Sequence, residues 1–170
     1  MSQSQSFPEK AVFVTVGTTQ FQELIHQVLQ PSTLEVLAIS GYTHLVLQVG
    51  SGPEPQIPVS DTIKISWYRL KESILPDMEA ASLIISHAGA GSCLEALGVV
   101  KPVIVVVNQN LMGNHQLELA SKLQSEGHVL MCYPESLCTV INDLKTATLK
   151  PFPQPNHSIF SSYIENLMGL

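Results

Sequence analysis

The residues with the clearest capacity for chemistry lie between Ser82 and Val107, in the run SLIISHAGAGSCLEALGVVKPVIVVV. The corner His87-Ala88-Gly89-Ala90-Gly91-Ser92 is too small and flexible to be a strand or a helix. It is followed by Cys93-Leu94-Glu95-Ala96-Leu97, which reads as a helix with Gly98 near its close. The first N–H groups of a helix lack intrahelical acceptors, and the helix dipole adds partial positive charge there. Where no side chains intervene, an anion can approach those donors closely. The corner is therefore a candidate diphosphate cradle. Glu95 lies about one turn into the helix. A carboxylate there is a good acceptor for a pair of sugar hydroxyls on the same ligand.

The corner matches no complete nucleotide fingerprint. Gly89-Ala90-Gly91-Ser92-Cys93-Leu94 carries the first two glycines of a dinucleotide motif but Leu94 where the third belongs. No Gly-Lys-Ser/Thr follows at the spacing a P-loop needs. Taken alone, the corner is equally compatible with a tight turn that packs closely and binds nothing.

Two apolar runs position the corner. Leu83, Ile84 and Ile85 precede it and Val103 to Val107 follow the helix, neither with polar alternation. Such strands are buried on both faces, as in a parallel sheet covered by helices. The same arrangement recurs earlier. Ala11 to Val16 reads as a buried strand, Gly17-Thr18-Thr19 as the turn after it, and Gln20 to Gln30 as an amphipathic helix with Phe21, Leu24, Ile25, Val28 and Leu29 on one stripe. The threonines could meet a phosphate or cap the helix.

The remaining chain repeats the alternation. Pro31-Ser32 opens a short helix that Gly41 ends, and His44 to Val49 is a strand. Gly50 to Pro58 is a proline- and glycine-rich loop, and Thr62 to Tyr68 is a strand ending in Trp67-Tyr68-Arg69. The aromatic pair could flank a flat base or pack in the core. A helix is expected around Leu70, Ile74, Leu75 and Met78, with Pro76 at its start. Asn108 to Gly113 is a polar loop. Asn114-His115-Gln116 opens a helix, with Asn114 as N-cap, that Gly127 ends. His115 could point over the sheet edge or into solvent. His128 to Cys132 is a strand and Ser136 to Thr148 a helix. Lys150 to Asn156 is a linker, and Ile159, Phe160, Tyr163, Ile164, Leu167 and Met168 mark a last amphipathic helix.

About six strands alternating with helices imply right-handed crossovers and a Rossmann-like, doubly wound parallel α/β sheet. Ligands of such sheets bind beyond the carboxyl ends of the strands. Gly17 to Thr19, Tyr68-Arg69, His87 to Ser92 and Asn114 to Gln116 all follow strands. The expected organisation is a disordered start over 1–10, one domain over 11–150, and a linker with its helix over 151–170.

Composition narrows the class. The chain has 170 residues, 45% hydrophobic and 13% charged, with a formal net charge of −6. That balance argues against a nucleic-acid partner, and any phosphate must be held by local donors. The low charge suggests that part of the surface is covered by something else. Cys93, Cys132 and Cys138 are odd in number and lack metal-ligand spacing, as in reduced cytosolic proteins. The polar start, Met1 to Lys10, carries no leader-type segment, and no apolar run reaches the ~18 residues that span a membrane.

Three segments, FVTVGTT, ISHAGAGSCLEAL and NHQLELA, in this order and spacing, resemble a known family. It is that of the catalytic subunit of the two-subunit UDP-N-acetylglucosamine transferase of dolichol-linked oligosaccharide assembly. The domain is similar to the nucleotide-sugar half of the bacterial peptidoglycan N-acetylglucosaminyltransferase. The resemblance runs from Ala11 to about Leu170. It implies the C-terminal, donor-binding half of a GT-B glycosyltransferase, with its active site in a cleft between two such domains. The other half would come from a membrane-anchored partner on the cytosolic face of the endoplasmic reticulum, which binds the dolichol-diphosphate sugar acceptor. No metal and no further cofactor is implied.

Carried over by position, Gly17, Thr18 and Thr19 would face the diphosphate. The backbone at Tyr68 and Arg69 would meet the uracil. His87, Ala88, Gly89, Ala90, Gly91 and Ser92 would hold the α-phosphate and touch the sugar. Glu95 would accept the ribose hydroxyls. Asn114, His115 and Gln116 would bind hydroxyls of the N-acetylglucosamine. The general base is expected on the partner. A non-enzymatic Rossmann-like module that stabilises a membrane partner remains a second reading. A stand-alone oxidoreductase is disfavoured by the missing third glycine and by the lack of an acidic residue ~20 positions past the turn.

Overall fold

The computed structural model describes residues 9–111, 115–153 and 165. Six strands form one sheet: β1 (Ala11–Thr15), β2 (His44–Gln48), β3 (Lys64–Tyr68), β4 (Leu83–His87), β5 (Val103–Val106) and β6 (Leu130–Cys132). All neighbouring pairs are parallel, in the order β3-β2-β1-β4-β5-β6. The helices are α1 (Gln22–Val28), α2 (Pro31–Ile39), α3 (Leu75–Ala80), α4 (Ala90–Gly98), α5 (His115–Ser125) and α6 (Leu137–Asp143). This is the doubly wound α/β sheet expected from the alternation of elements.

Side chains along a strand alternate between the two faces of the sheet. Val12 and Val14 of β1 pack with Leu24 and Val28 of α1, Leu34 and Leu37 of α2 and Leu137 and Ile141 of α6. Phe13, one residue out of step, packs on the opposite face with Met78 of α3, Cys93, Ala96 and Leu97 of α4, and Leu119, Ala120 and Leu123 of α5. The central strands are covered on both sides, so β4 and β5 are buried at every position. That burial explains why they read as unbroken apolar runs.

Several boundaries differ from the sequence expectation. As expected, Gly50 to Pro58 is a loop and no helix joins β2 to β3, because Pro53, Pro55 and Pro58 deny that segment its backbone donors and hold φ fixed; the later boundaries are where the differences lie. The last strand begins at Leu130, not His128, because the His128 N–H turns back to the Leu123 carbonyl at 3.0 Å and closes α5. The helix expected over 136–148 is a 3-10 turn at Pro134–Ser136 followed by α6, and it stops at Asp143. Gly98 does not supply the left-handed residue that ends α4. Val100 does, with φ 55°. The disordered start expected over 1–10 and the linker and helix expected over 151–170 lie, apart from residues 9–10, 151–153 and 165, outside the described residues.

Candidate functional site

Five polar side chains are buried among the described residues, and four of them, Thr15, Gln48, Ser86 and His87, stand at the carboxyl ends of β1, β2 and β4. A buried polar group costs free energy unless it finds a partner. These four cluster where the sheet delivers its loops, and each has one. The Ser86 hydroxyl donates to the His87 carbonyl at 2.8 Å. Thr15 and Gln48 hold Gly17: its N–H lies 3.1 Å from both Thr15 Oγ1 and Gln48 Oε1.

His87 ends β4 between two glycines. A Cβ on Gly17, whose φ is +67°, would stand 2.7 Å from His87 Nε2. A Cβ on Gly89 would also collide with the imidazole. Both positions therefore need glycine for the ring to fit. His87 Nε2 is 3.2 Å from Ser92 Oγ. The ring is 9% exposed, and burial pushes its pKa down to about 4, so it is neutral at pH 7.

The glycine corner is the start of α4. Gly89 is the N-cap, with extended backbone and no side-chain cap, and the Cys93 N–H makes a 3.0 Å bond to the Gly89 carbonyl. The N–H groups of Ala90, Gly91 and Ser92 precede that bond and form the open end of the helix. Ala88 is buried beneath it, whereas Gly91 is exposed and an added Cβ there would meet nothing within 4 Å. Glu95 is exposed one turn further on.

Thr18 and Thr19 are exposed on the neighbouring loop. Neither caps α1. Its N-cap is Phe21, without a side-chain bond, and Thr19 Oγ1 donates instead to the Val16 carbonyl at 3.0 Å.

The aromatic pair at the end of β3 is split. Trp67 packs with the α1/α2 side of the core and Tyr68 with the other side, since consecutive strand residues face opposite ways. The two rings cannot flank one base. The Tyr68 hydroxyl donates to Asp77 Oδ2 at 2.6 Å, and Lys71 Nζ sits 3.1 Å from the same oxygen. Burial and then Asp77 push the phenol well above its ordinary range. Arg69 is exposed, lies over the Trp67 ring at 5.8 Å, and donates through Nη1 to the Gly52 carbonyl.

His115 opens α5 and is exposed. Gln116 is half-buried, and its Oε1 is buried with no hydrogen-bond donor among the described residues. Asn114 lies outside the described residues. The structure thus brings Gly17, His87, Gly89 and Ser92 into one contact. The loop at Arg69 joins it through Gln48, whose amide donates to the carbonyls of Gly17 and Arg69, each at 2.7 Å, and through the loop after β2, where the Gly50 and Ser51 N–H groups donate to the Arg69 and Thr19 carbonyls at 3.1 and 3.0 Å. Gln48 is the residue that sequence reasoning missed. The available signal was a lone amide closing the apolar run Leu45-Val46-Leu47. Among the described residues, no group of three or more His, Cys, Asp or Glu side chains could hold a metal ion.

Residues 11–167 match the glycosyltransferase family 28 C-terminal domain. The chain belongs to this family. Family 28 relatives include the UDP-N-acetylglucosamine transferase subunit ALG13 of Mus musculus, 52% identical over 126 residues covering 72% of this chain and 11% of that protein. The same-named subunit of Saccharomyces cerevisiae is 32% identical over 189 residues, covering 89% of this chain and 93% of that one. The chain spans about a tenth of the length of the mammalian relatives, 11% in both mouse and human. Among solved structures, the fold is similar to an NMR solution structure of ALG13, with TM-score 0.71 and 28% identity over 94% of this chain and 98% of that one. The MurG of Acinetobacter baumannii matches with TM-score 0.63 and 19% identity over 84% of this chain and 42% of that one, which bears on fold alone. The family 28 chain therefore has the Rossmann-like fold of a GT-B C-terminal domain.

Proposed function

We propose that this chain is the donor-binding catalytic subunit of a heteromeric glycosyltransferase that moves N-acetylglucosamine from UDP-N-acetylglucosamine to N-acetylglucosaminyl-diphosphodolichol. The observation that carries the reading is the open N-terminus of α4, set beside the Gly17 loop around a buried, neutral imidazole. Transfer from a UDP-sugar develops negative charge on the departing diphosphate. Preorganised N–H donors and a helix terminus meet such charge without reorganisation. Ala90, Gly91 and Ser92 offer those donors, and Gly17, Thr18 and Thr19 close the other side.

In this reading Glu95 accepts the ribose hydroxyls, and the backbone at Tyr68 and Arg69 meets the uracil. The unpartnered Oε1 of Gln116 accepts a sugar hydroxyl, with Asn114 and His115 beside it. Being neutral, His87 adds no charge of its own and acts as a hydrogen-bonding wall of the phosphate site. The acceptor hydroxyl needs a general base, which we place on the partner. Among the described residues, no helix is long and apolar enough to cross a membrane. A membrane-anchored acceptor-binding subunit on the cytosolic face of the endoplasmic reticulum completes the enzyme. The naming of the relatives as transferase subunits supports a partnered enzyme.

The deciding experiment is transfer of radiolabelled N-acetylglucosamine from the UDP-sugar to a diphospho-lipid acceptor, with and without the membrane subunit co-expressed. Product only in the presence of both chains is expected. No product with both chains folded and assembled would remove the enzymatic reading. Glu95→Ala is expected to weaken donor binding about tenfold, the size of a lost charge-assisted hydrogen bond, with the melting temperature unchanged.

A further inference from the structure

We propose that Gln48 is a positioning residue: its side-chain amide ties the Gly17-Thr18-Thr19 loop to the backbone at Arg69 and so sets the distance between the diphosphate side and the base side of the nucleotide site. The inference rests on the donor-binding reading above.

The strand order puts β2 and its loop between the two sides, and the Gly50 and Ser51 N–H groups of that loop already reach the Arg69 and Thr19 carbonyls at 3.1 and 3.0 Å. β2 lies between β1 and β3, so the loops that follow β1 and β3 are not neighbours in the sheet. Gln48 is the last residue of β2, paired in register with Thr15 of β1 on one side and Tyr68 of β3 on the other. Its side chain is 1% exposed and uses all of its hydrogen-bonding capacity. Oε1 accepts from Thr15 Oγ1 and from the Gly17 N–H. Nε2 donates to the Gly17 carbonyl and to the Arg69 carbonyl, both at 2.7 Å.

The same side chain therefore holds Gly17 at its N–H and at its carbonyl. That dictates the orientation of a residue in the left-handed region, against which His87 packs. One amide thus holds the conformation of the first loop at Gly17 and, together with the Gly50 and Ser51 backbone, ties that loop to the third.

Few other side chains can do this. Glutamate keeps the acceptors but has no N–H for the two carbonyls. Methionine matches the length but leaves the Gly17 carbonyl without its side-chain donor, while the Gly17 N–H keeps Thr15 Oγ1 and the Arg69 carbonyl keeps the Gly50 N–H. Leucine, which fills the neighbouring strand position 47, would serve a purely structural purpose better next to the apolar Leu45-Val46-Leu47. The amide is costly to bury unless fully bonded, and here it is.

The test uses the full chain and its Gln48→Met and Gln48→Glu variants. Unfolding midpoints are measured alongside the affinities for UDP, by calorimetry, and for uridine, by ligand-observed NMR. If Gln48 couples the two sides, Gln48→Met weakens UDP about tenfold and uridine less than about threefold, within the usual range of coupling between sites. In the assembled transferase, KM for the UDP-sugar rises while kcat changes less. A purely structural amide would lower the midpoint and weaken both ligands equally, or neither, and that result overturns the proposal. Should Gln48→Met fail to fold, Gln48→Glu decides by the same ratio, since it keeps half of the bonds. If wild-type chain binds no UDP, it is the nucleotide reading itself that falls.

Discussion

At the scale of single residues, His87 shows how burial alone prepares a group. No opposing charge accounts for its state; desolvation pushes its pKa to about 4. In the unfolded chain the same imidazole titrates near its ordinary value of about 6.5. Between pH 6.5 and 4 the unfolded state therefore binds a proton that the folded state refuses, and stability falls as the pH drops. The contribution is complete above about pH 6.5 and diminishes by about 3 kcal/mol on reaching pH 4. We expect His87→Asn to flatten this part of the stability profile, measured as denaturant midpoints from pH 7 to 4 for both proteins. Parallel profiles for the two would contradict the assignment. His87, Gly89 and Glu95 were legible in the sequence because glycine spacing and helix phase are local. Gln48 was not, since its importance comes from two loops far from it in the chain.

At the scale of elements, α4 carries two predictions, one at each end. Gly91 is the second residue of the helix, exposed, and a Cβ there would touch nothing. An aspartate in the first turn favours the helix dipole by about 0.3–1 kcal/mol. It also puts a carboxylate where the proposed diphosphate binds. Gly91→Asp should therefore leave the melting temperature unchanged or raise it, while UDP-N-acetylglucosamine affinity falls more than about tenfold. Calorimetric titration against a thermal melt separates the two effects.

At the other end, Val100 adopts φ 55°, a conformation that a β-branched residue enters only at a cost of roughly 1–2 kcal/mol. Its side chain is 60% exposed, so little packing offsets the strain. Val100→Gly is expected to stabilise the protein by about 1 kcal/mol after the added chain entropy of glycine is subtracted, seen as a shifted denaturant midpoint with unchanged slope. The sequence suggested Gly98 for this left-handed position. The helix runs to Gly98 itself and the chain turns two residues later.

At the scale of the whole molecule, the fold presents one rim of loops and a small charged fraction, 13% of 170 residues. A GT-B cleft needs two such rims, and the described residues form one. Ligand binding should still be visible on this half alone. UDP-N-acetylglucosamine at about 100 times its Kd should add ~2.7 kcal/mol. For a domain of this size that raises the melting temperature by roughly 5–10 °C. NAD and ATP at the same concentration should give no shift, and a response to either in place of the UDP-sugar would refute the donor assignment.

The amino-acid sequence by itself determined the alternation of buried strands and amphipathic helices, the glycine corner at Gly89 and Gly91, and the loop at Gly17. All of these follow from periodicities of two and 3.6 residues and from the backbone freedom of glycine, properties of neighbouring residues. Only the tertiary structure decided that Gly17 and Gly89 both close on the His87 ring, that Trp67 and Tyr68 face apart, and that Gln48 joins two loops. Those facts depend on which strand ends lie side by side, and strand order is set by crossovers and core packing between segments far apart in the chain.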